Sequence, residues 1–260
     1  MIQELSSRTT LKGGHPLLRT EKEQDSSEAK RTVLLVLVTS DRGLCGGFNS
    51  SVIKACQRWI QANARDGVAV ELACVGRRGH DFFKTKKVKI TGYYSEAGGK
   101  VSFAKAKQLS KTLEARFVGG EIDEVKFIYN EFKNAMTQKV VVEDFLPLKK
   151  PDEALKESSS TEVSAGDSAK ERRFLDYIVK PSPEEVLVDL LEKNFAIQTF
   201  RVLLESQAGE HGARMSAMEN ATKNAGEMIK KLTLLYNKQR QASITKELLE
   251  IISGSESQKA

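Results

Sequence analysis

The sequence lacks long apolar runs, has little cysteine and contains no proline after Pro183. No stretch reaches the roughly 18 consecutive apolar residues of a membrane-spanning helix. The three cysteines, Cys45, Cys56 and Cys74, form no Cys-x-x-Cys pair, which argues against a metal motif and for reduced thiols. No signal peptide or transit-like leader is visible. We therefore expect a protein of a reducing compartment that reaches a membrane only through partners.

The absence of proline after Pro183 coincides with the signals of one very long helix. Ser182, Pro183 and Glu185 form a capped helix start, and Ser253-Gly254 favours an end. These signals predict a helix of about 70 residues within 181–254, roughly 100 Å long, followed by a tail over 255–260. A periodic helix of this length is typical of coiled coils and helical arrays.

A heptad seam follows the middle of this helix, with residues spaced alternately three and four apart. The seam consists of Met215, Met218, Thr222, Ala225, Ile229, Leu232 and Tyr236. It is a weak seam, because Gly209, Gly212 and Gly226 lie in the same helix and each costs about 1 kcal/mol relative to alanine. We expect the helix to need a partner helix, an enclosing sleeve, or both. An ordinary long bundle helix is the alternative on pattern alone.

Before the long helix, strand and helix patterns alternate. Residues 32–39 form a continuous apolar run, which a glycine-rich turn and a helical pattern over 50–65 follow. Further strands are predicted over 68–75, 89–93, 124–132 and 139–146, and further helices over 79–84 and 102–117. This order predicts an α/β fold with a Rossmann-like, mostly parallel sheet over residues 30–180. A serine-rich, acidic stretch within 151–173 predicts an exposed insertion.

The glycine-rich turn over 41–47 leaves two interpretations open. Such turns at helix starts can hold a phosphate, which would make the chain an α/β enzyme acting on a phosphorylated ligand. The turn matches neither the dinucleotide fingerprint nor the P-loop, so a tight structural turn is the simpler interpretation. Cys45 could be a nucleophile, but no base stands beside it in sequence.

The basic charge of the chain is compatible with a second alternative function. In this alternative, the chain is a coiled-coil adaptor or a nucleic-acid binder that uses the long helix. The net charge of +6 is compatible with an acidic partner. Four lysines lie within residues 84–89, and no aromatic pattern typical of RNA-binding modules accompanies them. We therefore expect no nucleic-acid partner.

Three segments together resemble the ATP synthase gamma subunit family. Residues 240–255 (RQASITKELLEIISGS) are similar to its C-terminal signature, and residues 40–49 (SDRGLCGGFN) are similar to its segment after the first strand. Residues 213–225 look like its third marked stretch. The segments occur in the family's order, and the resemblance covers nearly the whole chain.

The resemblance implies a non-catalytic rotor shaft that couples proton flow to ATP synthesis or hydrolysis and holds no cofactor or metal. The expected partners are the ring of alpha and beta subunits around the long helix, and the epsilon subunit and c-ring near the α/β domain. The expected location is the cytoplasmic face of the bacterial plasma membrane, without insertion into it.

The resemblance also implies roles for residues near the end of the helix. Arg240, Gln241 and Thr245 are expected to make polar contacts with beta-subunit loops. Ile244, Leu248 and Ile252 are expected to lie in the upper bearing of the ring. The alternative is that Arg240 and Gln241 are only solvated helix positions.

One difference from the family concerns the start of the chain. The family begins with a long helix that pairs with the C-terminal helix, and residues 1–8 look like its tail. We therefore expect residues 1–29 to be a remnant of that helix and a loop. The seam would then lack a partner helix within this chain.

Overall fold

The computed structural model describes residues 17, 31–64, 67–86, 88–95, 101–147, 180 and 182–258. The strands are β1 (Thr32–Val38), β2 (Ala69–Val75), β3 (Lys89–Tyr94), β4 (Glu124–Phe132) and β5 (Gln138–Leu146). The helices are α1 (Phe48–Asn63), α2 (Arg77–Phe83), α3 (Phe103–Val118) and α4 (Pro183–Ser257). The predicted order of strands and helices is confirmed, with small shifts at the ends of elements.

The five strands form one sheet in the order β3-β2-β1-β4-β5. The pairs β1–β2, β1–β4 and β2–β3 are parallel, and β5 runs antiparallel to β4. The chain therefore builds outward from β1 in one direction and then returns to its other side at β4. The predicted α/β fold with a mostly parallel sheet is confirmed, and its switch point lies between β1 and β4.

Burial on both faces explains the apolar run of β1. Leu34 and Val36 pack in the core under α3 and α4, whereas Leu35 and Leu37 pack in the core under α1 and α2. Successive strand side chains point to opposite faces, so a central strand covered on both sides needs apolar residues at every position.

Helix α4 has 75 residues and begins where the capping signals predict. The Ser182 hydroxyl oxygen accepts a hydrogen bond from the Glu185 amide at 3.2 Å. The predicted end is wrong, because the helix continues through Gly254 to Ser257. Glycine ends a helix when it adopts a positive φ, and Gly254 is not among the positive-φ glycines.

Two predicted segments lie largely outside the described residues. The insertion over 151–173 is among them, and so is the segment over 1–29 apart from the buried Leu17. Within the part of the chain that the structure describes, no helix is long and apolar enough to cross a membrane.

Candidate functional site

The first part of α4 is packed onto the α/β domain through apolar side chains. Its buried residues are Leu187, Leu191, Phe195, Ala196, Val202 and Leu203. The ring of Phe195 meets that of Phe145 on β5 edge-on, with centroids 6.1 Å apart, and Phe200 meets Phe103 on α3 in the same manner at 5.6 Å. This part of the helix therefore belongs to the hydrophobic core of the domain.

A polar cluster joins the same part of α4 to the sheet. Arg201 donates from Nη2 to both carboxylate oxygens of Glu143 on β5, at 2.7 and 3.0 Å. The Tyr129 hydroxyl on β4 donates to Glu143 at 2.8 Å. Burial, followed by this hydrogen bond to Glu143, raises the pKa of Tyr129, so its hydroxyl keeps its proton at neutral pH.

Gly209 and Gly212 mark the places where the backbone of α4 comes close to the domain. A Cβ atom on Gly212 would lie 2.8 Å from the carbonyl oxygen of Ala135, in the β4–β5 connection. A Cβ atom on Gly209 would lie 3.2 Å from the ring of Phe48. A Cβ atom on Gly226 would meet nothing within 4 Å. The first two glycines are therefore contact points, although their helix propensity is poor.

The glycine-rich turn over 41–47 is closed by hydrogen bonds among its own flanking residues. Asn49 on α1 accepts from the Ser40 amide at 2.9 Å and donates to the Ser40 hydroxyl at 2.7 Å. Asn49 also donates to the Cys45 sulfur at 3.2 Å. Ser40 and Cys45 are buried, so this network holds the turn from inside.

The outer side of this turn contacts the neighbouring helices. Arg214 of α4 donates to the Gly43 carbonyl oxygen at 3.2 Å and pairs with Glu210 at 2.7 Å. The Asp41 carboxylate accepts from the Arg77 amide at the start of α2, at 2.8 Å. The turn therefore fixes the positions of α2 and α4, which supports its structural interpretation.

The switch point of the sheet is occupied by the protein itself. Doubly wound sheets bind ligands beyond the carboxyl ends of the strands on either side of this point. Here Asn130, near the end of β4, donates to the Phe48 carbonyl oxygen at 3.0 Å, and Gly209 packs on the ring of Phe48. This arrangement does not favour a phosphorylated ligand at the 41–47 turn. Among the described residues no group of His, Cys, Asp and Glu could hold a metal ion.

The second part of α4 contrasts with the first. From Met218 to Gln258 every residue is exposed except Gly226, which is half-buried. The seam side chains Met215, Ile229, Leu232 and Tyr236 are between 58% and 65% exposed. The described part of the chain therefore brings no partner to the predicted seam.

The predicted interface residues lie on this exposed part of α4. Ile244, Leu248 and Ile252 are 48%, 54% and 54% exposed. Arg240, Gln241 and Thr245 are exposed as well, and the Thr245 hydroxyl donates back to the Gln241 carbonyl oxygen at 2.9 Å. Within the described residues Arg240 has no salt bridge, so its guanidinium is available to an acidic group of another molecule.

Comparison with known proteins gives a consistent result. A family model described as ATP synthase matches residues 1–257. An ATP synthase gamma chain of Bdellovibrio bacteriovorus is 42% identical over 250 residues, covering 96% of this chain and 80% of that protein. One from an Anaeromyxobacter species is 44% identical over 245 residues, covering 94% and 77%. The chain belongs to the ATP synthase gamma chain family.

Solved structures agree with this assignment. The central stalk and c-ring structure of the Tetrahymena thermophila mitochondrial ATP synthase contains a chain that is 27% identical, with a TM-score of 0.54. That match covers 85% of this chain and 94% of the Tetrahymena chain. A chain of the Euglena gracilis mitochondrial ATP synthase shares the fold with a TM-score of 0.63 at 22% identity, over 98% of this chain and 84% of that one. As a gamma chain, the protein is a non-catalytic subunit of the ATP synthase and acts as its rotor shaft.

Sequence reasoning missed the contacts that attach the shaft of this gamma chain to its base. The Arg201–Glu143 pair joins residues 58 positions apart, and no local sequence pattern predicts this contact. Gly209 and Gly212 did carry a signal, since two glycines three positions apart in a predicted helix suggest close packing of its backbone. We interpreted them only as weaknesses of the seam.

Proposed function

We propose that the exposed part of α4 turns inside a ring of alpha and beta subunits, while the α/β domain faces the epsilon subunit and the c-ring. The observation that carries this proposal is the exposure of α4 from Met218 to Gln258. The 40 residues from Met218 to Ser257 form a continuous helix of roughly 60 Å at 1.5 Å per residue. A helix of this length without a partner in the described chain requires an enclosure or a companion helix.

The surface of this helix suits a part that rotates against its neighbours. Between Glu219 and Lys246 there are six basic residues and two acidic residues. A polar, basic surface can meet acidic loops through contacts that guide orientation and rate more than they add affinity. Such contacts can be exchanged during rotation, whereas a deep apolar interface would resist it.

Within this surface, Arg240, Gln241 and Thr245 are proposed to contact loops of the beta subunits. Arg240, Ile244, Leu248 and Ile252 recur every four residues, so they form one slowly turning stripe along the helix. The stripe places a guanidinium below three half-exposed apolar side chains. This combination supports a polar contact with a beta loop and an apolar bearing nearer the end of the helix.

The seam is proposed to contact a companion helix. Met215, Met218, Ile229, Leu232 and Tyr236 are all more than a third exposed, and they recur at heptad spacing. Apolar side chains in this arrangement support helix pairing rather than contact with a smooth ring. Because the complex is associated with a membrane and the sequence relatives are bacterial, we propose the cytoplasmic face of a bacterial plasma membrane as its location.

Assembly with purified alpha and beta subunits tests this function. The tagged chain should capture alpha and beta in a fixed ratio, and the captured complex should hydrolyse ATP. Absence of capture by the folded chain would contradict the proposal. Binding of the chain to DNA with steep salt dependence, without capture of alpha and beta, would favour the nucleic-acid alternative instead.

The Arg240→Ala variant tests the contact residues, and Lys238→Ala is its matched control. Both changes remove one exposed cation from the same turn of α4, but Lys238 points away from the stripe of Arg240 and Ile244. A lost charged hydrogen bond costs about 1.5–3 kcal/mol, so Arg240→Ala should slow ATP hydrolysis of the complex by about tenfold or more. Equal effects of the two variants would contradict a specific contact at Arg240.

A further inference from the structure

One charged bridge connects α4 to the sheet in the middle of its packed part. The Arg201 guanidinium spans from α4 to Glu143 on β5, with both carboxylate oxygens within 3.0 Å. Among the described residues, the other salt bridges of α4 join positions four apart within the helix itself. The Arg201–Glu143 pair is therefore different in kind, because it crosses between the shaft and its base.

The guanidinium is held in place from the helix side before it reaches the sheet. Its Nε donates to the Gln198 side-chain oxygen at 2.8 Å, and its Nη1 donates to Glu205 at 3.1 Å. Gln198 and Glu205 flank Arg201 on the same helix, three positions before and four positions after it. All three nitrogens of Arg201 are thus engaged, and the group that faces the sheet has a defined direction.

The carboxylate is held in place from the sheet side. The Tyr129 hydroxyl donates to Glu143 at 2.8 Å from the neighbouring strand, and Arg201 Nη1 also approaches that hydroxyl at 3.4 Å. Tyr129 is 1% exposed, so its ring is fixed in the core. Arg201 is therefore oriented by neighbours on its own helix, and Glu143 is oriented by Tyr129 on the adjacent strand.

Directional contacts and apolar contacts resist different motions. The apolar side chains of α4, such as Phe195 and Val202, keep the helix on the domain, but burial of apolar area is non-directional. Gly209 and Gly212 let the backbone approach closely and provide no side chain that could engage the domain. The Arg201 guanidinium is held on α4 by Gln198 and Glu205 and reaches both oxygens of Glu143 from Nη2. This charged contact has a fixed direction, so it resists rolling of the helix about its own axis.

We propose that the Arg201–Glu143 pair, supported by Tyr129, is a coupling clamp that stops α4 from rolling on the α/β domain under load. The inference rests on the proposed rotor function, in which torque enters at the domain and leaves through the exposed part of α4. Arg201 and Glu143 are positioning residues in this role. Without the clamp, contacts such as the Arg214 hydrogen bond to Gly43 would carry more of the load, and part of each rotation of the domain would be lost as slippage of the helix.

The test uses the complete ATP synthase in membrane vesicles, with this chain as its gamma subunit. ATP hydrolysis and ATP-driven proton pumping are measured on the same vesicles. The variants Arg201→Gln and Glu143→Gln should retain hydrolysis within about twofold and lose proton pumping per ATP several-fold, because the chemistry is on other subunits. The double variant R201E/E143R reverses the pair and should restore much of the pumping ratio, as should the conservative Arg201→Lys in part.

The matched control is Lys193→Gln, which removes the exposed pair with Asp189 on the same helix, where both side chains are about 60% exposed. It should leave the pumping ratio unchanged. Unchanged pumping in Arg201→Gln would overturn the clamp. So would a joint loss of assembly, hydrolysis and pumping that the reversed pair does not restore, since that result indicates a purely structural role. Failure of the unmodified chain to give a coupled complex would instead refute the proposed function.

Discussion

The two parts of helix α4 have different surroundings, although they form one continuous helix. Up to Arg214 the helix has buried apolar side chains, a charged bridge to β5, close backbone contacts and a hydrogen bond to the 41–47 turn. From Met218 onward the described chain leaves it exposed. Both parts contain apolar residues at helical spacing, so apolar content alone does not tell which part the described chain covers and which part it leaves exposed.

The largest difference is expected from apolar truncations in the two parts. Phe195→Ala removes a ring that is 1% exposed, and such a change costs about 3–5 kcal/mol. Ile229→Ala removes a side chain that is 64% exposed, and it should change the stability of the isolated chain by about 0.5 kcal/mol or less. Urea unfolding of both variants measures these costs. Similar costs at the two sites would show that the exposed part is covered in the isolated chain.

Two glycine substitutions are expected to change stability by smaller amounts and in opposite directions. Gly212→Ala places a methyl group 2.8 Å from a backbone oxygen, so we expect it to destabilise the chain by about 1–3 kcal/mol. Gly226→Ala meets open space and should stabilise its helix by up to about 1 kcal/mol. Thermal unfolding followed by circular dichroism compares the two. A stabilising Gly212→Ala would refute the close approach of α4 to the β4–β5 connection.

The contact between α4 and the 41–47 turn should be worth less. Arg214→Met keeps most of the apolar stem but removes both the hydrogen bond to Gly43 and the pair with Glu210, with an expected cost of about 1–2 kcal/mol. Lys238→Met, in the exposed part, is the control and should cost about 0.5 kcal/mol or less. Hydrogen exchange of the 41–47 amides should rise in Arg214→Met only. Unaltered exchange there would mean that the turn does not depend on α4.

The smallest expected difference concerns how stability depends on pH. A paired carboxylate of the α/β domain should contribute to it, whereas a carboxylate in the exposed part of α4 should not. Burial tends to raise the pKa of Glu71, but hydrogen bonds from Lys89 and Arg116 outweigh it, so the pKa is lowered. The stability from Glu71 is therefore fully present above its unfolded pKa of about 4.3 and is lost as the pH falls through the folded value.

Glu71→Gln should lower stability at neutral pH by about 1 kcal/mol and reduce the further loss below about pH 4.3. Glu227→Gln, in the exposed part of α4, contacts none of the domain and serves as the control. Unfolding measured from neutral to acid pH distinguishes the two. An identical pH dependence in Glu71→Gln and the unmodified chain would contradict the role of this carboxylate.

The sequence predicted the elements well because their signals are local. The apolar run over 32–39 predicts a strand buried on both faces, and Ser182 with Pro183 predicts the start of α4. The end of α4 was predicted wrongly because Gly254 permits a stop without imposing one. The predicted seam and the residues proposed to contact the beta subunits remain predictions, since the described residues include none of the groups that they would contact.

The amino-acid sequence by itself determined the α/β alternation, the start of the shaft helix and the family of the chain, because these depend on neighbouring residues and on motifs read in order. Only the tertiary structure decided how the shaft is attached. It showed that Phe48 and Gly209 fill the switch point, that Gly212 lies against the β4–β5 connection, and that Arg201 meets Glu143. These contacts join residues far apart in the chain, and their geometry exists only after the sheet has formed and α4 has packed across it.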